Sequence, residues 1–337
     1  MKTGIYSSPK TVAPMALEKP IIQENEALVK VAYAGICGTD MMIYSGQHPR
    51  AEAPLIMGHE FCGVVEDIIG QGHDFQKGDR VIIEPLLSCG KCSACKAGQA
   101  HVCANLKYIG IDQDGGFTEY ATIPVDRLKY LPDSVTDEAA ALTEPLAVAI
   151  HTVRRSNLKV GDTVAILGAG PIGLLIGLIA KEAGASEILI SDVSPYRLKI
   201  ASELGFTTVN AMNESIVETV KSYTDQVGAD VVFEVAGNQI TADQMIDCIK
   251  FQGEVVVVSV YKKAPTINLA AMHFREISLK TTRCYSPDDF TKAIDLLEKK
   301  PFDVSLLISH ILPLDEIEQG FLLMQNTESS LKILFQP

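Results

Sequence analysis

The 337-residue chain is short of positive charge: 29 lysines and arginines face 42 aspartates and glutamates, a formal net charge of −13. Binding phosphates takes a basic face, so a nucleic-acid partner is excluded. Met1 to Pro9 holds no apolar core of signal-peptide length, so export is not expected and the protein is read as cytoplasmic. Only Thr163 to Ala180 runs uncharged long enough to suggest a membrane span. That stretch contains Gly168, Gly170, Pro171, Gly173 and Gly177. A strand, a glycine turn and a buried helix account for it better, so no membrane partner is expected. Low-complexity linkers and internal repeats are lacking as well. What is present, 47% hydrophobic and 21% charged residues, suits a globular chain long enough for two domains.

The first part reads mostly as strands. Leu28–Tyr33, Gly63–Glu66 and Arg80–Ile83 are β-rich runs ended by glycine or proline turns. From about Lys159 the rhythm becomes strand, turn, helix, repeated. Strands are expected at Val164–Leu167, Glu187–Ser191, Val231–Glu234 and Glu254–Val260. Helices are expected at Pro171–Ala183, Pro195–Leu204 and Thr241–Ile249. Such a βαβ series predicts a doubly wound parallel sheet. Past Lys280 a capped helix from Ser286 to Lys299 and a closing strand, Leu331–Phe335, break the series. The fold class is therefore α/β, with a mostly-β domain over 1–150, an α/β domain over 151–283, and 284–337 returning to the first.

Gly168-Ala169-Gly170-Pro171-Ile172-Gly173 falls between a predicted strand and a predicted helix. In this pattern Gly168 makes the tight turn, Gly170 admits a pyrophosphate against the backbone, and Gly173 lets helix and strand pack closely. The helix N-terminus then favours the anion. The next strand ends at Asp192, where the ribose-binding acid is expected. Its carboxylate can accept from both ribose hydroxyls and would repel a 2′-phosphate, so NAD is expected over NADP. Arg197 could pair with such a phosphate; a position on the solvent face of its helix, or beside the adenine, is the preferred reading.

Eight cysteines would suggest disulfides in a small secreted protein, which this chain does not resemble. Cys89, Cys92, Cys95 and Cys103 have C-x2-C-x2-C-x7-C spacing. Four thiolates close a tetrahedral shell around a structural zinc. The rival, an iron–sulfur cluster, is disfavoured by the solvated loop character of Lys91, Lys96 and Gln99. A second metal-capable set is dispersed: Cys37 in Gly35–Asp40, His59 and Glu60 after Gly58, and Glu144 in Thr143-Glu144-Pro145. One thiolate, one imidazole and a carboxylate suit a zinc that keeps an exchangeable position. Singly, each has an ordinary structural explanation, and spacing alone does not show that they meet.

GICGTD at Gly35–Asp40, GHE at Gly58–Glu60, the four-cysteine lobe, TEPLAVAIHT at Thr143–Thr152, GAGPIG at Gly168–Gly173 and SDVSPYRL at Ser191–Leu198 stand in one order. In them the chain resembles, over essentially its full length, the zinc-containing medium-chain alcohol dehydrogenases, and within these the threonine and polyol (sorbitol-like) branch. The resemblance implies a GroES-like catalytic domain built from both chain ends around a Rossmann domain. It implies two zinc ions per chain, the catalytic one surrounded by Cys37, His59 and Glu60 with Glu144 beside it. It implies NAD contacts from Ile172, Asp192 and Arg197, and from Val258, Ser259, Val260, Thr282 and Arg283 on the nicotinamide side. It also suggests a homo-oligomer, dimer or tetramer.

The activity so implied is transfer of hydride from a secondary alcohol of a small polar substrate to NAD. Zinc lowers the hydroxyl pKa, and Thr39 takes the proton into a relay. One departure stands out: Met42 occupies the position where the family carries an outer relay histidine. The relay must then pass through Tyr44, His48 or water, and the substrate is expected to be a polyol, sugar acid or related hydroxy compound rather than threonine. The alternative from another class, a catalytically silent zinc- and NAD-binding relative, is favoured by Met42 alone.

Overall fold

Strand Glu26–Gly35 is the axis of the first half of the chain. Val29 and Val31 are buried on either side of exposed Lys30, while Leu28 and Ala34, next to the register shifts at Leu28/Val29 and Val31/Tyr33, are buried out of strict alternation. It pairs antiparallel with Glu60–Ile69, with Tyr120–Pro124 and with the C-terminal strand Lys332–Gln336. The resulting seven-stranded sheet also takes in Leu128–Tyr130, Arg80–Ile83 and Ile308–Pro313. A computed structural model describes all 337 residues, Met1–Pro337. In it this sheet belongs to a unit of Met1–Glu144 and Ser286–Pro337, and Pro145–Tyr285 form a second unit. Phe117, Phe321 and Phe335, all fully buried, meet edge to face in the core of the first.

The second unit is a six-stranded parallel sheet. Its order is Thr207–Asn210, Glu187–Asp192, Thr163–Leu167, Ala229–Glu234, Ile249–Val257, Ser278–Thr281. Chain order therefore reverses at Thr163–Leu167, the switch point where doubly wound sheets bind ligands at their carboxyl edge. Val164, Ala165, Ile166 and Leu167 are all fully buried, as expected of a strand covered on both faces. Helix Pro171–Glu182 buries every residue from Gly173 to Ala180, and its proline stands in the first turn, where no intrahelical N–H is lost.

Most expected elements lie within a residue or two of their predicted ends. One difference is informative. The strand expected to reach Val260 stops at Val257, because the Val258 and Ser259 N–H groups turn back to the Glu234 carbonyl. Helices Thr143–Arg155, Ile216–Tyr223 and Leu269–Arg275 were not expected from the pattern. Thr143–Arg155 was read only as a motif, although Pro145 sits where a helix tolerates proline.

Candidate active site

Three separate segments of the first unit supply one cluster. Cys37 is the N-cap of the short helix Gly38–Tyr44, and Asp40 at N3 accepts the Cys37 N–H through Oδ2 at 2.8 Å. His59 and Glu60 lie at the start of strand Glu60–Ile69, after Gly58 with φ +95°. A Cβ at Gly58 would strike the Phe117 ring at 2.6 Å, so glycine is required there on both counts. A Cβ at Gly35 would meet Glu60 Oε2 at 2.7 Å, so that residue keeps room for the carboxylate. The ligand atoms of Cys37, His59 and Glu60 lie within 4.8 Å of one another, a set able to hold a metal ion.

Charge is concentrated in this buried spot. Asp40 Oδ1 stands 3.6 Å from His59 Nδ1, an electrostatic contact in which neither buried atom has a hydrogen-bond partner. Burial works against a charged His59, yet Asp40 and Cys37 together hold its proton affinity well above the usual imidazole range. Glu144, also buried, is pushed up to about 7, first by desolvation and then by Glu60 and Asp40, against the pull of His59 and Lys332. A group of acids this dry calls for a cation. Thiolate, imidazole and carboxylate are the donors that zinc accepts, so the residues present fit the metal.

Lys332 was not among the expected site residues. It lies on the C-terminal strand, 2% exposed, and its Nζ donates to Glu60 Oε2 at 2.5 Å and to the Ile36 carbonyl at 3.0 Å. The one signal in the sequence is a lysine inside the apolar closing run Leu331–Phe335. Thr39 is half-buried on the same short helix as Asp40. The two side chains considered for a relay in place of Met42 are poorly suited to it. Tyr44 is a core residue, its ring 5.1 Å from Phe321. His48 Nδ1 already accepts the Ala51 N–H at 3.1 Å, and burial followed by Arg50 lowers the ring's proton affinity.

The four-cysteine set is also brought together. Cys92 Sγ is 3.5 Å from Cys95 Sγ and 3.8 Å from Cys103 Sγ. These separations are far too long for disulfides and near the edge of a zinc–thiolate tetrahedron, about 3.8 Å for 2.3 Å bonds. Backbone N–H groups aim at the sulfurs. Cys103 Sγ accepts from Cys89 and from Asn105, each at 3.3 Å. Hydrogen bonds from the Lys91 and Cys92 backbone lower the Cys89 thiol to about 6. The thiolate is thus favoured at Cys89 and Cys92. Desolvation and the neighbouring thiols Cys92 and Cys103 push Cys95 up to about 11, so it keeps its proton until a cation compensates.

In the second unit, Gly168 has φ +120°, and a Cβ on Gly173 would lie 1.9 Å from the Gly168 carbonyl oxygen. Gly170 differs from both. Its φ of −68° suits any residue, and a Cβ there would find only Arg197 Nη1, at 3.8 Å. The protein's own packing does not demand that glycine, whereas a phosphate lying on the helix N-terminus would. Asp192 ends its strand with Oδ2 accepting the Ala169 N–H at 2.8 Å and Oδ1 accepting the Ser194 N–H at 2.9 Å. Arg197 is half-buried with its guanidinium near the glycine turn, so of the two placements expected from sequence, the solvent face or beside the adenine, it does not take the first. Ile172 is partly buried, as are Val258, Ser259 and Thr282, while Val260 and Arg283 are exposed.

Residues 23–133 match the family model of the alcohol dehydrogenase GroES-like domain, and residues 171–299 that of the zinc-binding dehydrogenase. A 2-dehydro-3-deoxy-L-galactonate 5-dehydrogenase of Pseudoalteromonas atlantica is 40% identical, over 93% of this chain and 92% of that protein. A sorbitol dehydrogenase of Halalkalibacterium halodurans is 35% identical, over 95% and 94%. The chain belongs to the zinc-binding alcohol dehydrogenase family. A zinc-binding dehydrogenase of Sinorhizobium meliloti, solved with NADP bound, superposes with a TM-score of 0.93 at 32% identity, over 100% of this chain and 99% of that one. As a family member the chain is a zinc-dependent oxidoreductase that uses a nicotinamide cofactor. No helix is long and apolar enough to cross a membrane.

Within this dehydrogenase, Lys332→Met is expected to cost about 3–5 kcal/mol, because it leaves Glu60 charged and buried without its partner. Adding Glu60→Gln removes that charge and should restore most of the loss, as urea unfolding of the single and double variants would read. A K332M protein as stable as wild type would show that the pair does not hold Glu60.

Proposed function

We propose that the enzyme oxidises a secondary hydroxyl of a polyol, sugar acid or related hydroxy compound, with NAD as acceptor and two zinc ions per chain. The observation that carries this reading is the meeting of Cys37, His59 and Glu60 within 4.8 Å, with Glu144 buried beside them. Three protein ligands leave a fourth position for substrate, as a catalytic site needs and a four-thiolate site does not offer. Zinc there supplies Lewis acidity to the substrate hydroxyl, and the nicotinamide supplies the hydride acceptor. The chain's own part is to set the Asp40 charge beside His59, to retain Glu60 through Lys332, and to take the hydroxyl proton at Thr39 Oγ1. Relatives named for sugar-acid and sorbitol oxidation support the substrate class.

Asp192 supports NAD over NADP. Its carboxylate is anchored by two backbone N–H groups at the strand end, so it cannot move aside from a 2′-phosphate without breaking both.

A panel of polyols, aldonates and amino-alcohols should show NADH production with the first two groups and not with the third. Thr39→Val should remove most of that turnover, about a hundredfold, while NAD still binds. Full activity of the T39V protein would take Thr39 out of the mechanism. Metal analysis should find two zinc ions, the Cys37/His59/Glu60 ion leaving first under mild chelation. A single zinc, lost together with the fold, would contradict this. Asp192→Gly should narrow the preference in kcat/KM for NAD over NADP. A wild type that used both equally would refute the role given to Asp192.

A further inference from the structure

Glu234 closes strand Ala229–Glu234 and is fully buried. A carboxylate taken out of water needs donors to replace the lost solvation. Glu234 Oε1 accepts the N–H groups of Ala236 at 3.0 Å and Gly237 at 2.7 Å, and the Thr241 hydroxyl at 2.7 Å. Oε2 accepts the Ser259 hydroxyl. The main-chain carbonyl of Glu234 takes the Val258 and Ser259 N–H groups. One residue thus ties the loop after its own strand, the start of helix Gln239–Cys248 and the loop after strand Ile249–Val257.

Both loops lie on the carboxyl edge of the sheet, beside the glycine turn. The Val235 N–H donates to the Leu167 carbonyl at 3.0 Å, and a Cβ on Gly168 would touch Ala236 at 3.4 Å. The four donors to the carboxylate, two main-chain N–H groups and two hydroxyls, are all neutral. They solvate the charge without cancelling it. Tyr261, on the second loop, neighbours the same carboxylate. Burial pushes its phenol up, and the Glu234 charge adds to the shift.

We propose that Glu234 is an electrostatic positioning residue that favours the oxidised cofactor, through a buried carboxylate left without a cation at the nicotinamide end of the site. The inference rests on the reading of Val258–Val260 as the nicotinamide side. The physical reason is a difference in charge: the nicotinamide ring is cationic in NAD+ and neutral in NADH. A fixed negative charge in a poorly solvated site attracts the first and not the second. The consequence is a bound couple shifted toward the oxidised form relative to a site without this charge.

The test is equilibrium binding of NAD+ and NADH to the zinc-loaded protein, by calorimetry and by NADH fluorescence. Glu234→Gln keeps size and acceptor oxygen but removes the charge. It should weaken NAD+ by about three- to tenfold while NADH changes by less than about twofold. Equal weakening of both would show that Glu234 only shapes the loops, and no change in either would show that its field does not reach the site. Either result overturns the proposal. Thr241→Val supplies an arm of opposite sign, and it decides the matter if E234Q does not fold. It removes one neutral donor and leaves the charge less well solvated, so the preference for NAD+ should rise. A fall or no change overturns the proposal. If the wild-type protein bound neither nucleotide, the dinucleotide site itself would be wrong, an outcome distinct from the others.

Discussion

The buried ion pair between Lys332 and Glu60 is the constraint on which the first unit turns. Its two residues are 272 positions apart and each is at most 2% exposed. Burying either charge alone would cost several kcal/mol. The pair can therefore exist only if strand Lys332–Gln336 lies against Glu26–Gly35 and Glu60–Ile69 lies on the other side. Gly35 leaves room for the carboxylate between them. The same arrangement sets one cation against the acids Glu60 and Glu144 and the Cys37 thiol. A protein with no use for a metal there would be more stable with apolar residues in these places.

The two metal-capable sets are built on opposite principles. The four cysteines lie within one loop, where the chain's own turns bring sulfurs together and backbone N–H groups favour the thiolate at Cys89 and Cys92. Cys37, His59 and Glu60 come from a helix N-cap and a strand start that only the sheet brings into register. The local site needs little else from the fold. The assembled site depends on it, and its dry, charged surroundings make its chemistry adjustable through neighbours such as Asp40, Glu144 and Lys332.

Acidic residues recur as organisers of functional turns. Asp40 accepts the Cys37 N–H, Asp192 accepts those of Ala169 and Ser194, and Glu234 accepts those of Ala236 and Gly237. In each case a carboxylate satisfies turn donors that no ladder or helix bond reaches. The loop is thereby fixed, and a negative charge is left beside the place where a ligand is expected. On the reading proposed above, that ligand is a metal at the first, a ribose at the second and a nicotinamide ring at the third.

Features carried by neighbours in the chain were legible in the sequence. Gly168, Gly170 and Gly173 encode a strand–turn–helix whatever surrounds them, because their spacing answers a local geometric demand. Four cysteines within fifteen residues likewise specify a metal loop by themselves, and the βαβ rhythm specifies a parallel sheet. Membership of Cys37, His59, Glu60 and Glu144 in one family could be read from motifs, but their meeting could not, since no periodicity links positions so far apart. Lys332 and Glu234 belonged to apolar runs and passed as ordinary strand ends. Their roles arise from partners distant in sequence, together with the burial that makes each charge costly without them. Tertiary structure alone decided this, because the energy of a buried charge depends on everything packed around it and on almost nothing beside it in the chain.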